Sequence, residues 1–123
     1  IDVRLVGSEM CIRDRLRIEA LHLSDNRPYM LEDRWVCLDT VPEIRDVDLE
    51  IHSANEWLVL NRPYTRCDLR FYAISADQKM SEMLGAKIGD ALLLIERSTW
   101  IDGAPRTTVK TITTPGYQLL TSS

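Results

Sequence analysis

The chain has 123 residues, of which 45% are hydrophobic and 28% are charged, a composition typical of one folded domain and unlike that of a disordered chain. The net charge of −4 argues against direct binding of nucleic acid, because proteins that bind it alone usually carry a basic excess. The longest apolar run, residues 91–95, is far shorter than the roughly 20 residues of a membrane-spanning helix. The charged N-terminal region also predicts no signal peptide.

Residues 1–15 show neither the alternation of a strand nor the periodicity of a helix. The stretch 6–15 resembles translated adapter sequence, so we interpret residues 1–15 as a non-native or artefactual segment outside the fold. The alternative is a genuine but irregular N-terminal arm. On the first interpretation the domain spans residues 16–120.

A β-hairpin is predicted next. Residues 16–23 begin with apolar and polar side chains in alternation, as in a half-buried strand, and residues 29–36 form the returning strand. Between them, Asp25 and Asn26 tolerate left-handed backbone and Pro28 restricts φ, which is typical of a turn.

The middle of the chain predicts a loop with a short helical turn at residues 38–44 and then a helix. Ser53 and Glu56 have the spacing of a capping box, so a helix is expected over residues 54–60, ended by Pro63. Alternation over residues 65–74 predicts a long strand.

The last part of the chain predicts a second helix and further strands. The predicted elements are a helix opened by a capping box at residues 75–78 and closed by Gly85, a strand over residues 91–101, a turn at residues 102–105, a strand over residues 106–113 and a short strand over residues 117–120. Strands in this order with short connections predict an α+β fold, an antiparallel sheet carrying helices.

The two hairpins share a weak repeat at an offset of 77 residues. Ile18-Glu19 matches Ile95-Glu96, and the turn that begins at Asp25 matches the turn that begins at Asp102. This offset predicts internal pseudo-symmetry, although any two hairpins of a β protein can look alike.

Cysteine usage and motif content argue against several kinds of site. Cys11, Cys37 and Cys67 are odd in number and widely spaced, which favours reduced thiols of a cytoplasmic protein over disulfides or a zinc site. The sequence has no HExxH, GxSxG or phosphate-loop pattern. We therefore expect no metal, no cofactor and no catalytic residues.

Four stretches together resemble one family. They are Leu-Glu-Asp-Arg-Trp-Val at residues 31–36, Ser-Ala-Asn-Glu-Trp-Leu at 53–58, Leu-Gly followed by Asp-Ala-Leu-Leu-Leu within 84–94, and Glu-Arg-x-Thr-Trp at 96–100. Their order is similar to that in the effector-binding (UTRA) domain of GntR-type transcriptional repressors, with the HutC-like histidine-utilisation repressors as the nearest subgroup. The resemblance covers about residues 16–120.

That resemblance implies a chorismate-lyase-like fold, a homodimer and control of histidine-utilisation genes. It also implies that DNA is bound only through an N-terminal winged helix-turn-helix, which this chain lacks. The first strand and helix of the effector domain, expected before Leu16, look missing or replaced, so the fold is expected to be N-terminally truncated, with an unpaired sheet edge that favours self-association.

The inducer implied for this subgroup is urocanate, a flat imidazole joined to an acrylate. Arg34 is the candidate partner for its carboxylate because a guanidinium binds carboxylates in bidentate fashion. Glu32 lies two residues earlier and hence on the same strand face. Glu96, a carboxylate within an apolar strand, is the candidate partner for the imidazole N–H.

Three further residues complete the predicted effector site. His22 stands where phosphosugar-binding relatives carry arginines, which favours another ligand. Ser53 lies at a helix N-terminus, which attracts anions, and Tyr64 lies in a loop that could close over a ligand.

Each of these residues also has an ordinary structural interpretation. Arg34 and Glu32 could form surface cross-strand pairs, Glu96 could lie at an edge or interface, and His22 could be a half-exposed strand residue. Ser53 could act only as a cap. The three tryptophans fit a core or dimer contact better than a stacking platform.

Three functions compete for the chain as a whole. The first is a ligand-sensing module of a repressor, which the Glu-Arg pattern and the capped helix favour. The second is a chorismate-lyase-like enzyme of the same fold, since fold alone does not decide function. The third is a pure dimerisation module.

Overall fold

One six-stranded antiparallel sheet organises the molecule in the computed structural model, which describes residues 2–12 and 14–122. The sheet order is β1-β2-β3-β6-β5-β4. The elements are β1 (Asp2–Ile12), β2 (Arg15–Ser24), β3 (Arg27–Cys37), a 3₁₀ helix (Pro42–Asp46), α1 (Ala54–Asn61), β4 (Arg66–Ser75), α2 (Gln78–Leu84), β5 (Ala91–Ile101) and β6 (Ala104–Thr113). The predicted α+β class is confirmed.

The turn between β2 and β3 has the conformation that its residues favour. Asp25 and Asn26 both have positive φ, 52° and 62°, as a two-residue type I′ turn requires. Pro28 lies within β3 opposite Leu23, next to a register irregularity after His22. A proline fits there because an irregular ladder position needs no N–H donor.

The repeat at an offset of 77 residues coincides with a pseudo-two-fold relation in the sheet. The sheet order places β1, β2 and β3 on one side of the β3–β6 boundary, and β4, β5 and β6 at the symmetry-related positions on the other side. The β5–β6 hairpin repeats the turn at Asp102 and Gly103 and the irregularity beside a proline, Pro105. Across β3 and β6, Asp33 lies directly opposite Lys110, and 110 − 33 is again 77. The pseudo-symmetry axis therefore passes through this pair.

Two apolar cores form on opposite faces of the sheet. The face under α1, called the α1 face, carries the cluster Leu16, Ile18, Val36, Leu38, Val41, Ile44, Ala54 and Leu58. The other face, called the α2 face, carries the cluster Leu21, Leu23, Leu31, Ala76, Leu84, Ala86, Leu92, Leu94 and Ile112. Strand side chains alternate between the faces, so β2 and β3 contribute to both cores.

The caps of the two helices confirm one prediction and correct another. Ser53 accepts a hydrogen bond from the Glu56 backbone N–H, as the first capping box predicts. The second helix is capped by Asp77, which accepts from the Met80 N–H, and the predicted cap Ser75 instead ends β4. Gly85 ends α2 with φ of 71°, the left-handed C-cap that was predicted.

The chain termini differ from two predictions. Residues 2–12 form β1, which pairs antiparallel with β2 from Asp2↔Leu23 to Ile12↔Arg15, so this segment is part of the sheet although its register shifts twice. Backbone pairing does not depend on side chains, and the assignment of residues 1–15 as non-native stays a prediction. Residues 117–120 form no strand.

Candidate functional site

A buried charged group lies on the α1 face where β2 and β3 pair. Arg34 is only 1% exposed, and its Nη2 donates to Glu32 Oε2 over 3.1 Å. The other carboxylate oxygen of Glu32 lies 3.3 Å from His22 Nε2. The structure thus brings together three predicted site residues, Arg34, Glu32 and His22. Arg34 is buried, so it does not form the surface cross-strand pair of the alternative interpretation.

The electrostatics of this group favour charge on both partners. Burial alone would raise the pKa of Glu32, but the neighbouring His22 and Arg34 lower it to about 2. Burial also lowers the pKa of Arg34, and the adjacent Glu32 carboxylate opposes that effect. Glu32 is therefore an anion throughout the neutral range.

Arg34 retains unused hydrogen-bonding capacity. Its Nε and Nη1 atoms are buried and have no hydrogen-bond partner in the described part of the chain. Buried donors without partners are costly, so they mark a position where a ligand acceptor or water would be stabilised.

A second arginine, Arg97, shares a hydrogen-bond acceptor with Arg34 in the N-terminal turn of α1. Asn55 Oδ1 accepts from Arg34 Nη2 over 3.4 Å and from Arg97 Nη2 over 3.3 Å. Arg97 shares the α1 face with Arg34 because both lie opposite Val109 of β6, one from each side. The amide oxygen of Asn55 thus occupies the position between two guanidinium groups that a carboxylate would favour.

Arg106 adds a third cation to this side of the sheet. Its Nε donates to the Arg62 carbonyl over 2.8 Å, and its Nη1 donates to Thr99 Oγ1 over 3.1 Å. Burial, and then the charges of Arg34 and Arg97, lower the pKa of Arg106 to about 10. Arg34, Arg97 and Arg106 thus place three cations on this side of the sheet.

Two cavities flank the side chains of Glu32 and Asn55. The helix cavity, about 190 Å³, lies beside the segment that leads into α1 and is lined by Val3, Leu5, Ile18, Ala20, His22, Glu32, Leu49, Glu50, Ile51, Ser53, Ala54, Asn55 and Glu56. The sheet cavity, about 290 Å³, is lined by Met30, Glu32, Asn55, Leu69, Ile95, Arg97, Val109 and Thr111. The sheet cavity combines apolar walls with a cation, a carboxylate and an amide.

Two other predicted residues lie at the margin of the group or away from it. Ser53 caps α1 and lines the helix cavity, so its position is compatible with a ligand contact. Tyr64 is 45% exposed and lies against Arg106, whose Cζ is 5.5 Å from the ring centre, and it lines neither cavity.

Glu96 does not join the group, and the expectation that it faces the same ligand as Arg34 is wrong in geometry. In the strand register it lies opposite Lys110 and Arg70, and it accepts a hydrogen bond from Tyr72 Oη over 3.1 Å. Lys110 in turn lies opposite Asp33, on the α2 face, whereas Arg34 points to the α1 face. The sheet therefore separates the Glu96 and Arg34 side chains.

Sequence reasoning missed Asn55, Arg97 and Arg106. Asn55 lies within the capping stretch at residues 53–56, whose spacing indicates a helix N-terminus and no side-chain contact of Asn55. Arg97 follows Glu96 directly and so belongs to the opposite face, which alternation along β5 could have indicated once Glu96 was placed.

Neither a cluster of metal-ligating side chains nor a membrane-spanning helix occurs in the ranges 2–12 and 14–122. No group of three or more His, Cys, Asp or Glu residues there could hold a metal ion. No helix there is long and apolar enough to cross a membrane. Cys37 and Cys67 are free thiols, and the side chain of Cys11 lies outside the described residues.

Comparison with protein-family models decides the family. Residues 14–114 match the model of the UTRA domain. The chain belongs to the UTRA family. UTRA domains are the effector-binding parts of GntR-type transcriptional regulators, and this chain is such a domain. No curated protein sequence matches the chain significantly.

Solved structures share the fold of this UTRA domain. The C-terminal domain of the histidine utilization repressor from Pseudomonas syringae pv. tomato str. DC3000 superposes with a TM-score of 0.85 at 21% identity, covering 98% of this chain and 96% of that one. The ligand-binding domain of a GntR-family regulator from Bordetella bronchiseptica gives 0.79 at 15% identity, covering 99% and 90%. The effector binding domain of the Bacillus subtilis trehalose repressor gives 0.80 at 10% identity, covering 100% and 97%. At these identities the likeness concerns the fold alone.

Proposed function

We propose that this UTRA domain senses a small carboxylate, urocanate, on behalf of a HutC-like repressor of histidine-utilisation genes. DNA would be bound by a winged helix-turn-helix outside this chain, and the domain would act as a homodimer without catalysing a reaction. The observation that carries the proposal is the buried Arg34, whose Nε and Nη1 have no partner in the described residues and whose Nη2 shares the Asn55 oxygen with Arg97.

The charge balance favours an anionic effector. Arg34, Arg97 and Arg106 together carry three positive charges, and Glu32 is the carboxylate that pairs with this group. A ligand carboxylate that replaces the Asn55 oxygen would reach two guanidinium groups and form charge-assisted hydrogen bonds in place of neutral ones.

The other end of urocanate fits the remaining polar groups. An imidazole N–H needs an acceptor, and the Glu32 carboxylate faces both cavities with His22 beside it. The apolar walls Met30, Ile95 and Val109 offer a surface for a flat conjugated ring. We therefore propose Glu32, instead of Glu96, as the acceptor for the imidazole N–H.

A fold match adds weaker support for the same ligand class. The histidine utilization repressor from Pseudomonas syringae has this fold, although 21% identity does not transfer its effector. The resemblance makes a phosphosugar the weaker candidate, because His22 stands where phosphosugar-binding relatives carry arginines.

Thermal shift assays on the 123-residue chain test the proposal. Urocanate at about one hundred times its dissociation constant adds roughly 2.7 kcal/mol, enough to raise the melting temperature by several degrees. Glucosamine-6-phosphate should raise it much less. Chorismate serves as the test for the enzyme alternative, and we expect no release of pyruvate.

Variants locate the binding residues. Arg34→Ala and Arg97→Ala should abolish the urocanate shift, Arg34→Lys should retain part of it, and Glu32→Gln should weaken it at constant volume. Glu96→Gln and the exposed Arg45→Ala serve as controls and should keep the full shift. Because Arg34→Ala removes the guanidinium partner of the largely buried Glu32 carboxylate, Arg97→Ala tests the site if that variant fails to fold. The proposal is refuted if urocanate gives no shift, or if folded Arg97→Ala and Arg34→Lys respond like the original chain.

A further inference from the structure

The sheet has two edge strands, and they differ in how they resist pairing with another chain. The β1–β2 register is interrupted twice, between Leu5 and Gly7 and between Met10 and Ile12. The β4–β5 register runs without interruption from Arg66↔Trp100 to Ser75↔Ala91, and β4 contains no proline. Bulges and prolines are the usual protection of a sheet edge, so the β4 edge is the less protected one.

The β4 edge also exposes apolar side chains. Leu69 is 56% exposed and Phe71 is 53% exposed, and both lie on the α1 face of this ten-residue strand. A long, regular and partly apolar edge is a surface on which another strand can add.

The charges on the α2 face of β4 bear on which strand would add to this edge. Arg66, Asp68 and Arg70 alternate along the strand, and all three are exposed. Asp68 pairs with Arg66 over 3.1 Å, and Arg70 makes no ion pair within the described residues. A strand that carries both signs two residues apart can be complementary to itself.

Geometry allows few registers for two antiparallel copies of β4. A two-fold axis normal to the sheet preserves its faces, so it must pass through a residue and pair side chains of one face. With Leu69 on the axis, Asp68 of each copy lies opposite Arg70 of the other, and Cys67 lies opposite Phe71. With Asp68 or Arg70 on the axis, identical charges would oppose each other, which destabilises a strand pair. With Cys67 on the axis only residues 66–68 of each β4 would pair, and with Phe71 on the axis no opposite charges would face each other.

We propose that two copies of this chain dimerise edge to edge through β4, with Leu69 on the two-fold axis, to form one continuous twelve-stranded sheet. The proposal specifies the interface of the homodimer that the proposed function includes. It also places Leu69, which lines the sheet cavity, at the contact between the two copies.

Charge swaps test the register. The original chain should be a dimer by light scattering coupled to size exclusion at micromolar concentration. Asp68→Arg or Arg70→Asp places like charges opposite each other twice and should weaken the dimer by about tenfold. The double swap Asp68→Arg with Arg70→Asp restores both opposite-charge pairs and should restore the dimer. The matched control Lys87→Glu changes an exposed charge in the loop before β5 and should have no effect.

A cross-linking experiment measures the axis position directly. In a Cys67→Ser background, Leu69→Cys places two thiols directly opposite, at a Cα separation of about 4.5–5.5 Å, which a disulfide can span. Ala73→Cys, on the same face of the same strand, would lie about 27 Å from its counterpart and serves as the control. Mild oxidation should therefore give a covalent dimer only for the first variant.

The outcomes separate this interface from self-association itself. A dimer that is insensitive to all charge swaps, or that cross-links equally through both positions, overturns the β4 interface but leaves the proposed homodimer standing. A monomer at micromolar concentration overturns both.

Discussion

Neutralising Glu32 should change the pH dependence of stability in a defined direction. The carboxylate is 15% exposed, lies 3.1 Å from Arg34 Nη2, and has its pKa lowered from 4.5 to about 2. At about 1.36 kcal/mol per pH unit, this lowering corresponds to about 3 kcal/mol of folding free energy. Because the folded pKa is the lower one, that contribution is complete above pH 4.5 and is lost as the pH falls towards 2.

Urea unfolding of the original chain and of Glu32→Gln between pH 7 and pH 3 measures this contribution. Both proteins lose stability through their other carboxylates, so the informative quantity is the difference between their free energies of unfolding. That difference should shrink by about 2 kcal/mol between pH 6 and pH 3. Glu82→Gln, at an exposed position on α2, is the control and should give a constant difference. A constant difference for Glu32→Gln as well would refute the buried ion pair.

Two further predictions concern the parts of the fold that support the site. Leu58→Ala removes a fully buried side chain of α1 and should lower the free energy of unfolding in urea by about 2–5 kcal/mol. The control Leu60→Ala, at a position 81% exposed on the same helix, should change it by less than about 0.5 kcal/mol. Equal effects of the two variants would contradict the packing. Deleting residues 1–14 uncovers β2 and removes Leu5 from the α1 cluster, so the melting temperature should fall by roughly 8 °C, while a change within about one or two degrees would mean that β1 adds nothing.

Local signals in the sequence were sufficient for most of the secondary structure. Asp-Asn and Asp-Gly pairs between alternating stretches predicted both hairpins because few other residues adopt the positive φ of a type I′ turn. Ser53 predicted the start of α1 because its hydroxyl accepts a hydrogen bond from a backbone N–H that has no partner within the helix. The cap of α2 was misplaced by two residues because Ser75 and Asp77 are both good capping residues and only the end of β4 decides between them.

The site was harder to predict because it depends on contacts between distant strands. The spacing of Glu32 and Arg34 along one strand was sufficient to place them on one face. The contact of Arg97 with Asn55 joins residues 42 positions apart, and no local pattern determines it. The misplacement of Glu96 could have been avoided, since its match Glu19 lies opposite Asp33, on the face away from Arg34.

The same pseudo-symmetry explains why the chain has one charged site instead of two. The offset of 77 residues maps Glu32 onto Val109 and Arg34 onto Thr111, so the second half of the sheet has no ion pair at the equivalent positions. The turns and the irregularities beside the prolines repeat because both hairpins need the same backbone geometry. Glu32 and Arg34 are free to differ from their counterparts because the backbone does not depend on them. A buried ion pair is weak evidence for stability, since apolar side chains of similar volume often serve as well. Its presence in one half alone, beneath the N-terminal turn of α1, therefore supports the proposed ligand binding, while Glu32 also stabilises the fold above pH 4.5.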